Sequence, residues 1–531
     1  MSTPTSTSVA GAALPSGSPP QPVFNTRLAI GLLGALLAAM VAGLNGRIPG
    51  LVLADLRGAL GFSLDDASWL TTAYSAGELA AMPFAGWFAI TFSLRRFYLA
   101  MLFATMALSV IMPHVQDLHL LLALRVLHGL VGGALIPLLM ISCLRFMPPS
   151  IRLHGLAIFA LVVTFSPNIA LWLAALWVDR LEDWRWVYWH VIPMGLMATA
   201  LVAWGIPKMP MALPRLKQAN WFGMALGVPG LILLIVGVDQ GVRLDWFHSP
   251  LIVAMFLTGG MFTALFLVSE WNHPEPFNRL QLLERRNIWL GFASFAFLLM
   301  TMATAVTLPA NVLGQLQGFR MEQSASIGLI VGLPQVVLGP CVALLLYQRC
   351  VDARHVFAAG LACMAAACWL SADITSEWMA RQFMWAGILQ ALGQPMALVA
   401  LLFLISSVVQ PMEGSFFAGM INIVRVFSAT IGSATIAQLM AVRGRFHTEM
   451  LLDKAGQLSS QLMPSDTALE TLAGSVTQQV SVLATADIYR VFAVLALLMI
   501  PVVLKLQHIP APMVNRTPQA VPSGVPVGTG S

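Results

Sequence analysis

Charge is what this chain has least of. Asp, Glu, Lys and Arg together make up 10% of its 531 residues, against roughly 25% in a soluble globular domain. Apolar residues fill 58% of it, and mean hydropathy is +0.81. A water-soluble fold of this length could not hide that much apolar surface. Cysteine is scarce too. Cys143, Cys341, Cys350, Cys363 and Cys368 show no CxxC or metal spacing, so they read as small apolar residues, with no disulfide or metal role expected. No glycine-rich loop suited to a nucleotide phosphate is present, and no Ser/His/Asp grouping on an elbow. That argues against an ATP-driven pump and against an enzyme, and no cofactor is expected. No basic helix carries interleaved aromatics, so the pI near 9.1 is no sign of nucleic-acid binding.

What is abundant is the apolar run. Such runs recur about fourteen times, each near the 17–25 residues that cross ~30 Å of hydrocarbon. They are Leu28–Leu53, Trp69–Ile90, Phe97–Pro113, Leu118–Leu144, Ile151–Val178, Trp186–Ile206, Trp221–Val238, Leu251–Val268, Ile288–Pro309, Ser324–Tyr347, His355–Leu370, Gln382–Ser406, Phe416–Ala441 and Ile488–Leu506. Backbone groups in lipid must bond internally, so these are expected to be helices of an all-α integral membrane protein. A barrel would show short alternating strands instead. Met1–Pro22 has no charge and no basic n-region, so it reads as a disordered tail and not a cleavable signal. Pro510–Ser531 reads the same way, and the sequon Asn515-Arg516-Thr517 within it reads as chance.

Lys and Arg favour one set of alternate loops, among them Arg95, Arg96, Arg145, Arg152, Lys208, Arg285, Arg286, Arg349 and Arg354. The positive-inside rule then puts both termini in the cytoplasm. The longest outer segment, 442–487, is expected to be a surface loop or a short amphipathic hairpin.

Four charges fall well inside spans: Arg47, Glu78, Arg125 and Arg425. Each costs at least ~2.5–3.5 kcal/mol near mid-bilayer, so such residues face a bundle interior and pair. Glu78 is the one carboxylate. It lies nine residues past Trp69, or ~14 Å deep at 1.5 Å per residue. A buried carboxylate beside a competing cation can load and release protons; the plainer reading is a permanent pair that sets helix register. His128 stands one turn from Arg125 and is the expected relay, or else a packing histidine. Gly129, Gly132, Gly133 and Ala134 suit close helix approach, and Pro83, Pro137 and Pro167 mark kinks.

Between Trp69 and Pro193 the chain resembles the fourteen-helix drug/proton antiporter branch of the major facilitator superfamily, the EmrB/QacA-like exporters. The motifs are Trp69-Leu70-Thr71-Thr72-Ala73-Tyr74, then Gly86-Trp87 and Arg95-Arg96, then Leu124-Arg125-Val126-Leu127-His128-Gly129, and most specifically Asp183-Trp184-Arg185-Trp186-Val187-Tyr188-Trp189. The second half echoes the first weakly, at Tyr347-Gln348-Arg349 and at Gln390-Ala391-Leu392-Gly393. Three positions depart from the family's pattern. Asn45 stands where an Asp is usual, Ile90 ends the cytoplasmic signature in place of Asp, and only Pro167 survives of the helix 5 antiporter motif.

The resemblance implies two six-helix bundles, 27–207 and 271–508, with two extra helices in 208–270 and tails at 1–26 and 509–531. It implies proton-driven export of amphipathic organic compounds from the inner membrane by alternating access. Glu78, Arg125 and His128 are the expected proton-coupling residues. Asn45, Arg47, Arg425 and Asn168 are expected to face the substrate cavity, and Gly86, Arg95, Arg96, Pro167 and Gly129 to serve the conformational change. The expected partners are a small-molecule substrate and the lipid bilayer, with a periplasmic adaptor and outer-membrane channel by family analogy. Two other readings stand beside export: a proton-coupled importer on the same fold, and a membrane-embedded sensor or enzyme.

Overall fold

The computed structural model describes residues 24–148, 150–459 and 466–511. The expected tails, apart from their inner ends, and the Asn515 sequon lie outside the described residues. Among the described residues there are eighteen α-helices and no strand. The first group is α1 (Thr26–Leu51), the short α2 (Leu53–Leu60), α3 (Leu64–Thr91), α4 (Leu94–Ile111), α5 (Leu118–Phe146), α6 (Arg152–Ala175), α7 (Trp186–Trp189) and α8 (Val191–Gly205). A pair follows, α9 (Trp221–Gln240) and α10 (Pro250–Asn272). The second group is α11 (Arg286–Met302), α12 (Thr307–Gln317), α13 (Met321–Gly332), α14 (Gln335–Leu346), α15 (Ala353–Ser371), α16 (Met384–Ser406), α17 (Gly414–Ser459) and α18 (Asp466–Leu504).

Thirteen spans among the described residues are long and apolar enough to cross a membrane. The 28-residue α3 is not among them, because Glu78 and its Ser, Thr, Tyr and Trp residues dilute its apolarity, yet it packs along α5 as a fourteenth. The architecture is thus two six-span bundles with an extra pair, in a multi-pass membrane protein. Large apolar side chains such as Phe222, Leu257 and Trp385 face outward, as a lipid solvent requires.

Local chemistry sets the helix starts. Asn25, Ser63 and Asp117 each accept a hydrogen bond from the backbone N–H three residues on, opening α1, α3 and α5. Two spans are broken. α11 gives way at Ala303–Val306 before α12, and α13 at Leu333-Pro334 before α14. Pro309 and Pro334 each lack the N–H that a continuous helix would use. Glycine sets the closest packing. A Cβ on Gly129 would lie 2.1 Å from the Tyr74 carbonyl oxygen, and one on Gly77 2.1 Å from that of Val126. α3 and α5 therefore touch backbone to backbone. Gly205 seats against Gly31 in the same manner, and Gly393 against Gly360. Gly393 meets α15, whereas Gly129 meets α3, so the echo between halves is one of position and not of neighbour.

Segment 442–487 differs from expectation. α17 runs on to Ser459 and α18 starts at Asp466, so most of it is helix. No proline interrupts residues 412–459, and Arg443 and His447 of α17 both bond the Asp487 carboxylate of α18, at 2.6 and 2.8 Å. Those bonds clamp the two helices together past the apolar spans.

Candidate functional site

At the end carrying the termini, one apolar core joins both groups: Leu28, Phe146, Phe403, Phe417 and Leu506 all belong to it. Contacts between groups close this end. A Cβ on Gly86 would lie 2.9 Å from the Ser415 carbonyl oxygen, and the Tyr347 ring stacks on His154 at 5.4 Å. Toward the other end the core divides. One part holds Leu44, Ile48, Trp177 and Tyr188, the other Val312, Leu313, Phe383 and Tyr489. The two parts stay in touch just past α6 and at the start of α13, where Arg320 bonds Asp179 and Arg180 bonds Glu322, at 2.7 and 2.6 Å.

A cavity of about 310 Å³ lies where the core divides. α1, α3 and α6 line it from one group, α12 and α17 from the other, and α9 from the extra pair. Glu78 and Arg425 meet on its wall, the guanidinium Nη2 donating to Oε1 at 2.7 Å. Their side chains are only 12 and 13% exposed, so water screens this pair little. Asn422 steadies Arg425 from below through Nε, at 3.1 Å. Arg47 also reaches the cavity and has neither an ion pair nor a hydrogen bond among the described residues. Gly46 makes room here: a Cβ on it would lie 2.9 Å from the Tyr74 ring and 3.6 Å from Glu78 Oε2. Pro167 lines the cavity from α6.

The expected proton-coupling trio is split between two places. Glu78 faces the cavity. Arg125 and His128 lie behind Tyr74, inside the first group. The Arg125 guanidinium sits between the Tyr74 and Tyr188 rings, at 5.3 and 5.2 Å, and its Nε and Nη1 have no hydrogen-bond partner. His128 takes a bond from Asn45 Nδ2 to its Nε2, at 2.8 Å. Asn45 and Asn168, expected on the cavity wall, are not on it. Asn45 is fully buried against His128, which accepts from its Nδ2, while its Oδ1 has no hydrogen-bond partner among the described residues. Asn168 donates to Gln394 at 2.9 Å, and Gln394 accepts from Gln335 at 2.7 Å, so it joins α6 to α14 and α16. Gly129 serves the α3–α5 contact. Arg95 and Arg96 open α4, whose first turn holds no acid. Arg95 shares a recess at the termini end with Arg27 and Lys208, and Ile90 leaves it without the acid the family signature has.

One cavity group escaped sequence reasoning. Asp239 lines the cavity from α9. On apolarity alone the seventh run ends at Val238, one residue short, which leaves Asp239 in the loop. The helix continues through Gln240, and the polar Asp-Gln pair behind a Leu/Ile/Val run was the available signal.

The sequence profile of the Major Facilitator Superfamily matches residues 35–274. Residues 35–274 therefore carry a Major Facilitator Superfamily domain. The fatty acid resistance protein FarB of Neisseria gonorrhoeae is 23% identical over 91% of this chain and 96% of its own length. The multidrug export protein EmrB of Escherichia coli K12 is 23% identical over 87% and 89%. Among solved structures, the human organic anion transporter MFSD10 matches with a TM-score of 0.57 at 14% identity, over 92% of this chain and all of that one. That likeness shows the fold. Along most of its length the chain thus resembles a fatty acid resistance protein and a multidrug export protein, in keeping with the helix 2–6 motifs.

Proposed function

We propose that this protein is a proton-coupled secondary transporter that exports amphipathic organic compounds. The observation that carries the reading is the cavity between the two groups, with the Glu78–Arg425 pair bridging α3 and α17 on its wall. With both termini in the cytoplasm of the inner membrane, as the Lys/Arg bias implies, the closed end faces the cytoplasm and the divided end faces out. The two units are 27–207 and 271–508, and 208–270 rides against α3 and α17. Protonation of Glu78 from outside neutralises its charge and releases Arg425, which loosens α3 from α17. The contacts at Gly86–Ser415 and His154–Tyr347 then part, and the cavity opens inward. There Glu78 loses its proton as substrate enters, and the pair re-forms on the return. Arg125 and His128 do not front the cavity; they hold Tyr74, and with it the turn of α3 that carries Glu78. The α17–α18 hairpin is the surface a periplasmic adaptor would meet.

The test uses purified protein in liposomes with a trapped pH-sensitive dye, an imposed proton gradient and a panel of amphipathic cations and aromatic acids. Substrate-dependent proton release that disappears in Glu78→Gln supports the reading. Unchanged release in that variant refutes the proton assignment, and substrate uptake in the opposite sense would make the protein an importer.

A further inference from the structure

The charges of the cavity fall into two kinds. Glu78 and Arg425 satisfy each other. Arg47 and Asp239 do not: neither has an ion partner among the described residues, and both line the same space. Asp239 is held by one oxygen. The Thr72 hydroxyl bonds Oδ2, Gln240 Nε2 donates to Thr72 Oγ1 at 2.6 Å, and Arg243 Nε donates to Gln240 Oε1 at 2.7 Å. Arg243 is itself anchored to Asp65 at 2.9 Å. Every donor in this chain points toward the carboxylate. Asp239 Oδ1 has no hydrogen bond among the described residues.

The two free charges stand apart along the cavity. Gly46, beside Arg47, lies against Glu78. Asp239 stands level with Thr72, six residues up α3 from Glu78, or ~9 Å at 1.5 Å per residue. We propose that the cavity takes a zwitterion, an amphipathic compound whose cationic amine binds Asp239 and whose anionic group binds Arg47. A single unpaired charge would select a cation or an anion alone. Two of opposite sign, lining one cavity and not paired with each other, suit a ligand carrying both. The extra pair of helices is then part of the binding site, because α9 supplies the amine-binding group. A cavity of about 310 Å³ suits a compact ligand of this kind. The inference rests on the reading that this cavity is the transport site.

The test is equilibrium binding to the full-length protein in lipid nanodiscs. The probes are 3-[4-(aminomethyl)phenyl]propanoic acid, its methyl ester, which keeps only the cation, and its N-acetyl derivative, which keeps only the anion. The wild type is expected to bind the zwitterion at least ten-fold more tightly than either derivative. Asp239→Asn is expected to bring the zwitterion-to-N-acetyl ratio to about one, and Arg47→Gln the zwitterion-to-ester ratio. Asp239→Glu keeps the charge and is expected to keep the preference, which separates a binding role from a folding role. Equal affinities in the wild type, ratios unmoved by both neutralising variants, or no binding of the zwitterion would each overturn the proposal. Proton flux in liposomes is a separate readout: zwitterion preference without flux defeats the coupling and spares the binding site, while flux without preference does the reverse.

Discussion

Neutralising Glu78 and Arg425 singly and together tests the pair that links the two groups. At a charge separation of about 4 Å and an effective dielectric near 20, the attraction is roughly 4 kcal/mol. Exposures of 12 and 13% leave little screening, but removal of one partner is not symmetric. Arg47 lies within electrostatic reach of both charges. Arg425→Gln leaves Glu78 with Arg47 as a second cation nearby. Glu78→Gln leaves two arginines facing each other with no anion between them. We therefore expect about 2 kcal/mol for Arg425→Gln, below the roughly 3–5 kcal/mol seen when a buried pair loses one member because Arg47 stands in, and about 4 kcal/mol for Glu78→Gln, within that range. The double variant is expected to cost less than the sum by at least about 1.5 kcal/mol. For 531 residues the unfolding entropy is roughly 1.1 kcal/mol/K, so each kcal/mol moves Tm by about 1 °C. The assay is thermal unfolding in detergent micelles for all four proteins, paired with proton flux in liposomes. Additive Tm shifts, or a smaller shift for Glu78→Gln than for Arg425→Gln, would refute this account of the cavity charges.

Gly129→Val should prevent folding, since its Cβ would lie 2.1 Å from the Tyr74 carbonyl oxygen; size-exclusion chromatography of a fluorescent fusion should show aggregate, while Gly58→Ala, with nothing within 4 Å, should run as the wild type. Cysteines placed at His154 and Tyr347, whose rings stack at 5.4 Å, should cross-link and stop transport until reduced, in a background lacking the five native cysteines; transport that survives cross-linking would mean this end does not open. Burial pushes the Asp352 carboxyl up, but bonds and charge from Arg354, with the charge of His508, outweigh this and hold it down to about 2. Its folded value lies below its unfolded one, so its contribution, about 1 kcal/mol after screening by solvent, is complete above about pH 4 and is lost as pH falls toward 2. Asp352→Asn should therefore lower Tm by about 1 °C at pH 7 and flatten the pH dependence of Tm between 4 and 2.

The spans were legible because lipid leaves the backbone only one economical answer, and the length of an apolar run reports it directly. The Trp184–Trp189 motif and Gly129 were legible for a related reason: a close helix contact admits few residue types. Side-chain direction was not legible. α1, α3 and α6 are buried over most of their circumference, so no apolar stripe shows which way Asn45 or Asn168 points. The partner of Glu78 was out of reach for another reason. Arg425 lies 347 residues away, and depth alone allowed Arg47 and Arg125 equally. The helical continuation through 442–487 was obscured because hydropathy falls once a helix leaves the bilayer, though its backbone pattern continues.

The position of Arg125 explains how the first group can carry a buried cation without a carboxylate. Nε and Nη1 of Arg125 lack hydrogen bonds, and its residue exposure is 1%. Such burial is costly unless something replaces water. Two ring faces at 5.3 and 5.2 Å do so, each contributing up to about 2 kcal/mol where water is excluded. The electrostatic link to the cavity runs through Tyr74, one helical turn before Glu78 on α3, whose hydroxyl donates to the Ala42 carbonyl of α1 at 3.0 Å. Arg125→Lys should therefore weaken transport although it keeps the charge, since an ammonium cannot lie flat between two rings. Tyr188→Phe should be nearly silent, because its hydroxyl has no partner and its ring remains. If Tyr188→Phe instead impairs transport as much as Arg125→Lys, the hydroxyl matters and the ring-stacking account fails.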